Sequence, residues 1–273
     1  MNDKKEMNDQ KIKDQYRNDE NLNIRILIHK KYSVNPQGFD KWIFSNYQIK
    51  EGMSVLELGC GNGEMWLGKK DVFDRCFRLI LSDLSEGMLK SAKEKLKDLN
   101  KIEYRKIDIE EIPFPDNEFD VVIANMMLYH VKDLDRGLKE VARVLKDDGT
   151  FYCATYGENG MMEHIELMFD EFPISSSYNY KFTLRNGETK LLRYFHDIQK
   201  LQYEDSLEVS NADDMIDYIY SLPGFSDIQD MPRDLLRSVL EKNMRDGILH
   251  VPKDYGMYIA RKNTFHDENN ISE

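Results

Sequence analysis

Val55-Leu56-Glu57-Leu58-Gly59-Cys60-Gly61-Asn62-Gly63 opens with a short apolar run and closes with glycine at every second position. An apolar run followed by helix-forming residues reads as a buried strand that turns sharply into a helix, here Glu64 to Lys70. Glycine permits positive φ and lets another group approach the backbone closely. Three such positions describe a loop that sits against a ligand, with the free N–H groups of the following helix aimed at it. Glu57 lies inside the strand, just before the glycines. A carboxylate there would repel a phosphate, so the loop is ill suited to a pyrophosphate.

The dinucleotide fingerprint G-x-G-x-x-G fits neither register: its third glycine would fall on Glu64 counted from Gly59, and on Trp66 counted from Gly61. Glu57-x-Gly59-x-Gly61-x-Gly63 instead resembles motif I of the class I S-adenosylmethionine-dependent methyltransferases, in their small-molecule, type 11-like branch. The resemblance implies an α/β, Rossmann-like sheet of seven strands in the order 3-2-1-4-5-7-6, with helices on both faces. It also implies S-adenosyl-L-methionine as cofactor and S-adenosyl-L-homocysteine as product, with Gly59, Cys60, Gly61 and Gly63 among the cofactor-binding residues. Glu57 would organise the loop toward the methionine ammonium, and the backbone carbonyls of Gly59 and Asn125 would accept from that ammonium.

The chain has 273 residues, 41% of them hydrophobic, enough for one large α/β domain with an insertion or for two small domains. No apolar run approaches the length that spans a bilayer. The Met1-Asn2-Asp3-Lys4-Lys5-Glu6 start is too polar for a signal peptide, so a cytoplasmic protein, a monomer or homodimer without a membrane partner, is expected. A formal net charge of −12 argues against nucleic acid as partner. Cys60, Cys76 and Cys153 lack metal-ligand spacing, so no metal site is expected.

Along the chain, a helix is possible from Gln10, a second spans Asn23 to Tyr32, and a third begins near Pro36. By resemblance, residues 1–50 form an N-terminal helical lid in which Tyr16, Arg25 or Tyr32 reaches the methionine carboxylate; ordinary packing is an equal reading for each. Residues 51–156 are the expected cofactor-binding core. Arg78 to Asp83 reads as the second strand. Asp83, about twenty residues beyond Gly63, is placed to hydrogen-bond a ribose diol or, alternatively, to cap the helix that Ser85 opens. Strand three runs from Ile102 to Asp108 and strand four from Phe119 to Asn125, the latter continuously apolar through Val121-Val122-Ile123-Ala124. By resemblance, Leu84 presses on the adenine, Asp108 meets its amino group and the Ile109 N–H a ring nitrogen; a plain loop carboxylate is the other reading of Asp108. Ile112 to Asp120 resembles a proline-fixed family loop pinned by Phe114 and Phe119. A helix from Asp133 ends at Asp147-Asp148-Gly149, and strand five runs from Gly149 to Tyr156.

Residues 157–247 read as a substrate-cap insertion with helices at Met161 to Phe172, from Asn211 to a Leu222-Pro223-Gly224 stop, and from Pro232, and a strand at 198–207. Residues 248–262 read as a closing hairpin with a Lys253-Asp254 turn, its last strand at the sheet edge, followed by a 263–273 tail. The strand ends converge on one edge of one sheet, and this agreement outweighs any single motif. The implied activity is methyl transfer to an O, N or C atom of a small-molecule acceptor, with His130, after strand four, as candidate base because an imidazole titrates near neutral pH; a hydrogen-bonded structural histidine is the competing reading. An RNA or protein methyltransferase, or a non-catalytic binder of the cofactor or its product, are the other functional classes.

Overall fold

The computed structural model of the chain describes residues 19–99, 101–172, 179–222 and 225–262; Tyr16, Ser175 to Tyr178, Pro223, Gly224 and the 263–273 tail lie outside them. In chain order the elements are α1 (Glu20–Tyr32), α2 (Phe39–Asn46), β1 (Ser54–Leu58), a 3₁₀ turn (Glu64–Trp66), α3 (Lys70–Arg75), β2 (Arg78–Asp83), α4 (Glu86–Lys95), β3 (Ile102–Lys106), β4 (Phe119–Ile123), a second 3₁₀ turn (Leu128–His130), α5 (Leu134–Val144), β5 (Leu145–Tyr156), α6 (Met161–Met168), α7 (Gly187–Leu191), β6 (Phe195–Val209), α8 (Ala212–Ser221), α9 (Ser226–Gln229), α10 (Arg233–Asn243) and β7 (Leu249–Lys262). The strands form one sheet in the order β3-β2-β1-β4-β5-β7-β6, as the resemblance implied. Strands β1 to β5 pair in parallel, and β7 runs antiparallel to both β5 and β6.

The continuous apolar runs of the parallel strands follow from cover on both faces. Leu56 and Leu58 of β1 join a core with Val122, Phe151 and the α5 residues Leu138, Val141 and Val144. Val55 faces the other way, into a core with Leu79, Ile123, Ile43 and Trp66. Strand alternation therefore sends Glu57 to the Trp66 face. The loop after β3 is pinned as its sequence suggests: the Phe114 and Phe119 rings meet edge to face at 5.0 Å. Arg143 donates to the carbonyls of Ile112 and Phe114, each at 2.8 Å.

Several boundaries differ from the sequence reading. The glycine turn does not open a helix over 64–70: Leu67 is extended and Gly68 has φ +72°, which separates a single 3₁₀ turn from α3. Strand β3 ends at Lys106 and β4 at Ile123, so Asp108 and Asn125 stand two residues past their strands. Helix α5 stops at Val144, and Asp147-Asp148-Gly149 belongs to the start of β5. The largest correction concerns 248–262. There is no turn at Lys253-Asp254, because β7 runs unbroken through it and lies between β5 and β6. The edge strand is β6, from within the segment expected to be cap.

The reason β7 can carry a lysine mid-strand is a buried ion pair. Lys253 faces Asp205 across the β6–β7 ladder; the two side chains are 1% and 0% exposed and in contact. Asp205 also accepts from the Ser33 hydroxyl and, at 2.9 Å each, from the Asn35 and Ser206 N–H groups. Burial works to raise Asp205, but these donors hold it below the usual carboxylate range. The pair thus fastens the chain just after α1 to the sheet. Removing one member of such a pair strands a buried charge and costs about 3–5 kcal/mol. Lys253→Met should therefore lower unfolding free energy in urea by about that much, and the double change Lys253→Met with Asp205→Leu should recover a large part of it.

Candidate functional site

The strand order reverses between β1 and β4, and ligands of such sheets bind beyond the carboxyl ends of the strands at that point. The glycine loop leaves β1 there. Gly59, Gly61 and Gly63 all have positive φ, at 71°, 56° and 73°. Gly63 also needs to be glycine for space: a Cβ would stand 2.9 Å from Leu96 Cδ1 and 3.2 Å from Ala92 Cβ, where α4 packs on the loop.

Asp83, at the end of β2, ties this corner together. One carboxylate oxygen accepts from the Gly61 N–H at 3.0 Å and the other from the Ser85 N–H at 2.8 Å. The helix cap itself is Ser85, whose hydroxyl accepts from the Met88 N–H at 3.2 Å, so the cap reading of Asp83 gives way to a tie between loop and helix start. Burial raises the Asp83 carboxyl, against the backbone donors that stabilise its charge. Leu84 is 54% exposed, an apolar side chain held at the surface beside that carboxylate. Asp108 is exposed, with one oxygen accepting from the Glu110 N–H at 2.9 Å, and the Ile109 side chain is buried in the core.

Glu57 is 3% exposed. Its carboxylate accepts from the Trp66 indole N–H at 2.5 Å. Burial pushes the Glu57 carboxyl up to about 7, with the Trp66 hydrogen bond opposing and the Asp83 charge assisting. Trp66 went unassigned in the sequence because the turn was read as helix. The available signal was chemical: a tryptophan soon after a buried acid supplies the donor that acid needs. Cys60 lies in the loop, and burial raises its thiol well above the ordinary value.

Asn125 is buried, and its side chain is committed: Nδ2 donates to Tyr47 Oη at 2.6 Å, and Oδ1 accepts from the Ala154 N–H at 3.1 Å. Beyond it, Met126 has φ 53°, and the chain turns back so that Met127 packs on Gly59. His130 ends the second 3₁₀ turn, its ring 4.5 Å from that of Tyr129. Burial, helped by the charges of Arg25 and Lys181, lowers His130 to about 4. The ring thus lies below the near-neutral range of a free imidazole, because it is desolvated and the charges that act on it are those of cations.

Helix α1 covers the loop. Leu22 lies where a Cβ on Gly61 would come within 3.2 Å, Asn62 Nδ2 donates to Asn23 Oδ1 at 2.9 Å, and Glu64 bridges Lys30 and Lys95 at 2.5 and 2.6 Å. Of the expected lid residues, Arg25 faces inward, close enough for its charge to act on His130, Tyr218 and Tyr255. Tyr32 turns away, donating its hydroxyl to Asp214 on α8. Tyr16 lies outside the described residues.

Comparison with known proteins agrees with this geometry. Residues 56–153 match the model of the methyltransferase domain family. The ubiquinone/menaquinone biosynthesis C-methyltransferase UbiE of Escherichia coli is 34% identical over 127 residues, which cover 45% of this chain and 50% of that protein. The chain thus spans about half the length of the curated relatives it matches. A solved putative methyltransferase of Bacillus halodurans matches 83% of the chain and 99% of its own length with a TM-score of 0.58 at 18% identity. The YcgJ protein of Bacillus subtilis matches 82% and 98% with 0.56 at 19%. A phosphoethanolamine N-methyltransferase of Haemonchus contortus, solved with S-adenosylhomocysteine, matches 85% of the chain and 54% of its own with 0.52 at 17%. The family match is confined to the central segment, residues 56–153, and the fold of the chain is the one these solved structures share.

Because Glu57 binds a proton more tightly folded than unfolded, with its carboxyl raised from 4.5 to about 7, its contribution to stability is greatest at low pH. That contribution is lost as pH rises through about 7. Glu57→Gln should therefore remove a loss of stability, on the order of 2 kcal/mol, that urea melts of the wild type show between pH 5 and pH 8.

Proposed function

We propose that the protein transfers a methyl group from S-adenosyl-L-methionine to an O, N or C atom of a small-molecule acceptor. The observation that carries this reading is the convergence at the β1–β4 switch point of an acid-backed glycine loop, a carboxylate at the end of β2 and the turn after β4. The corner suits this cofactor better than a dinucleotide, since a buried carboxyl lies under the loop where a pyrophosphate would need donors alone. When bound, the cofactor supplies a sulfonium-activated methyl group.

In this reading Asp83 holds the ribose hydroxyls, already oriented by the Gly61 and Ser85 N–H groups. Leu84 covers the adenine, and Asp108 and the Ile109 N–H meet its edge. The Gly59 and Asn125 carbonyls accept from the ammonium, and Glu57 adds its charge beneath the loop. Asn125 does this with its backbone, since its side chain fixes β4 to β5 and to Tyr47. Arg25 is the lid residue for a carboxylate. The protein's task is then positional, to hold acceptor and donor in line with water excluded. His130, neutral above about pH 4, offers a lone pair to the acceptor but is a weak proton acceptor at neutral pH.

Calorimetry with S-adenosylhomocysteine should show binding that Asp83→Ala weakens about tenfold or more, a loss of at least about 1.4 kcal/mol. Stabilisation by NAD and not by S-adenosylhomocysteine would overturn the reading. Incubation with methyl-labelled cofactor and a metabolite extract should place label on a small molecule. The pH–rate profile for that acceptor should show no break between pH 6 and 7 that His130→Ala removes.

A further inference from the structure

Tyr47 caps the C-terminus of α2, its N–H donating to the Phe44 carbonyl at 3.2 Å, and the cofactor reading gives its side chain no role of its own. Its ring stands edge-on to Phe44 at 5.1 Å and to Tyr152 on β5 at 4.8 Å. Phe44 in turn meets Trp66 edge-on at 5.2 Å. The Tyr47 ring is thus held between α2 and β5, one aromatic contact away from the indole that donates to Glu57. Burial pushes the Tyr47 hydroxyl well above the ordinary tyrosine range, and the nearby Glu57 charge adds to this, while the Asn125 hydrogen bond opposes it.

Asn125 Nδ2 donates to Tyr47 Oη at 2.6 Å, and Asn125 Oδ1 accepts from the Ala154 N–H at 3.1 Å. The Ala154 carbonyl accepts from the Met126 N–H at 2.8 Å. The Asn125–Met126 peptide is therefore clamped from both sides where the chain leaves the strand direction. Met126 has φ 53°, a left-handed conformation that a non-glycine residue keeps only where its surroundings over-determine it. Met127, next in the chain, packs on Gly59 of the glycine loop. An Asn–Tyr pair is a demanding way to fill a core, since two apolar groups of the same shape can hold it as well. What apolar groups cannot do is orient the Asn125 carboxamide, and with it the turn.

We infer that Tyr47 is a positioning residue, whose hydroxyl acts through Asn125 to set the path of the turn after β4 and thereby the end of the site that takes the amino-acid part of the cofactor. The inference rests on the S-adenosylmethionine reading of the site and adds a separate claim to it. The Asp83 end is held by the Gly61 and Ser85 N–H groups, contacts in which Tyr47 takes no part. Loss of the Tyr47 hydroxyl is therefore felt at one end of the ligand and not at the other.

Two ligands test it by calorimetry: S-adenosylhomocysteine and 5′-methylthioadenosine, which share the adenosine and the sulfur but of which only the first carries the amino-acid group. The wild type should bind both. Tyr47→Phe, which leaves the Asn125 amide without its acceptor, should weaken S-adenosylhomocysteine about fivefold or more while changing 5′-methylthioadenosine by less than about twofold. Tyr152→Phe is the control for a merely structural tie, because the Tyr152 hydroxyl accepts from the Gln48 N–H of the same segment at 3.0 Å; it should leave the ratio of the two affinities unchanged. Asn125→Ser cuts the Tyr47 bond from its other end, should shift the ratio in the same direction, and serves if the phenylalanine variant does not fold. Equal weakening of both ligands by Tyr47→Phe, an unchanged affinity for S-adenosylhomocysteine, the same selective loss in Tyr152→Phe, or a wild type that binds S-adenosylhomocysteine and not 5′-methylthioadenosine would overturn the inference. A wild type that binds neither ligand would overturn the cofactor reading instead.

Discussion

The site depends on one carboxylate that is hydrogen-bonded in two directions. Asp83 joins the Gly61 N–H of the loop after β1 to the Ser85 N–H at the start of α4. Without an acceptor there, the glycine loop, free to take positive φ at three positions, would have no fixed path across the switch point. The loop in turn sets the approach of α4, because Gly63 alone has room against Leu96 and Ala92. It also carries the chain to the turn that brings Trp66 onto Glu57. Glu57 is therefore buried because its indole donor is delivered there, and its raised carboxyl is the residual cost of burial that one hydrogen bond does not offset.

How much of this was legible follows from the range of each interaction. The parallel strands announce themselves because cover on both faces demands unbroken apolar runs such as Val121 to Ala124. The positions of Asp83 and the glycines at strand ends could be read because they are set within one βαβ unit. The β6–β7 pair could not. Only four of the fifteen residues of β6 are buried, so its pattern is diluted, and Lys253-Asp254 carries the local signature of a turn. What keeps the lysine in mid-strand is Asp205 on the neighbouring strand, a long-range fact that no local window contains. Asn125 shows the same limit on a smaller scale: its position at the strand end was readable, but its side-chain partners Tyr47 and Ala154 lie in other elements. The position of His130 after β4 was readable but its lowered basicity was not, since burial and the charges of Arg25 and Lys181 come from the assembled fold.

Helix α1 and the chain after it are held by ties of unequal strength. Just past its C-terminus, Ser33 and Asn35 are fastened to the buried Asp205–Lys253 pair, where low dielectric makes each hydrogen bond strong and its loss expensive. The ties of α1 to the glycine loop are the amide pair Asn23–Asn62 in its first half and the ion pair Lys30–Glu64 in its last turn, in which the lysine side chain is 60% exposed. An exposed pair of this kind contributes about 0–1 kcal/mol. The chain following α1 is thus anchored to the sheet through buried partners, whereas the ion pair that ties α1 to the glycine loop is largely in solvent, so the stronger constraint on where α1 sits comes from the β6–β7 ladder.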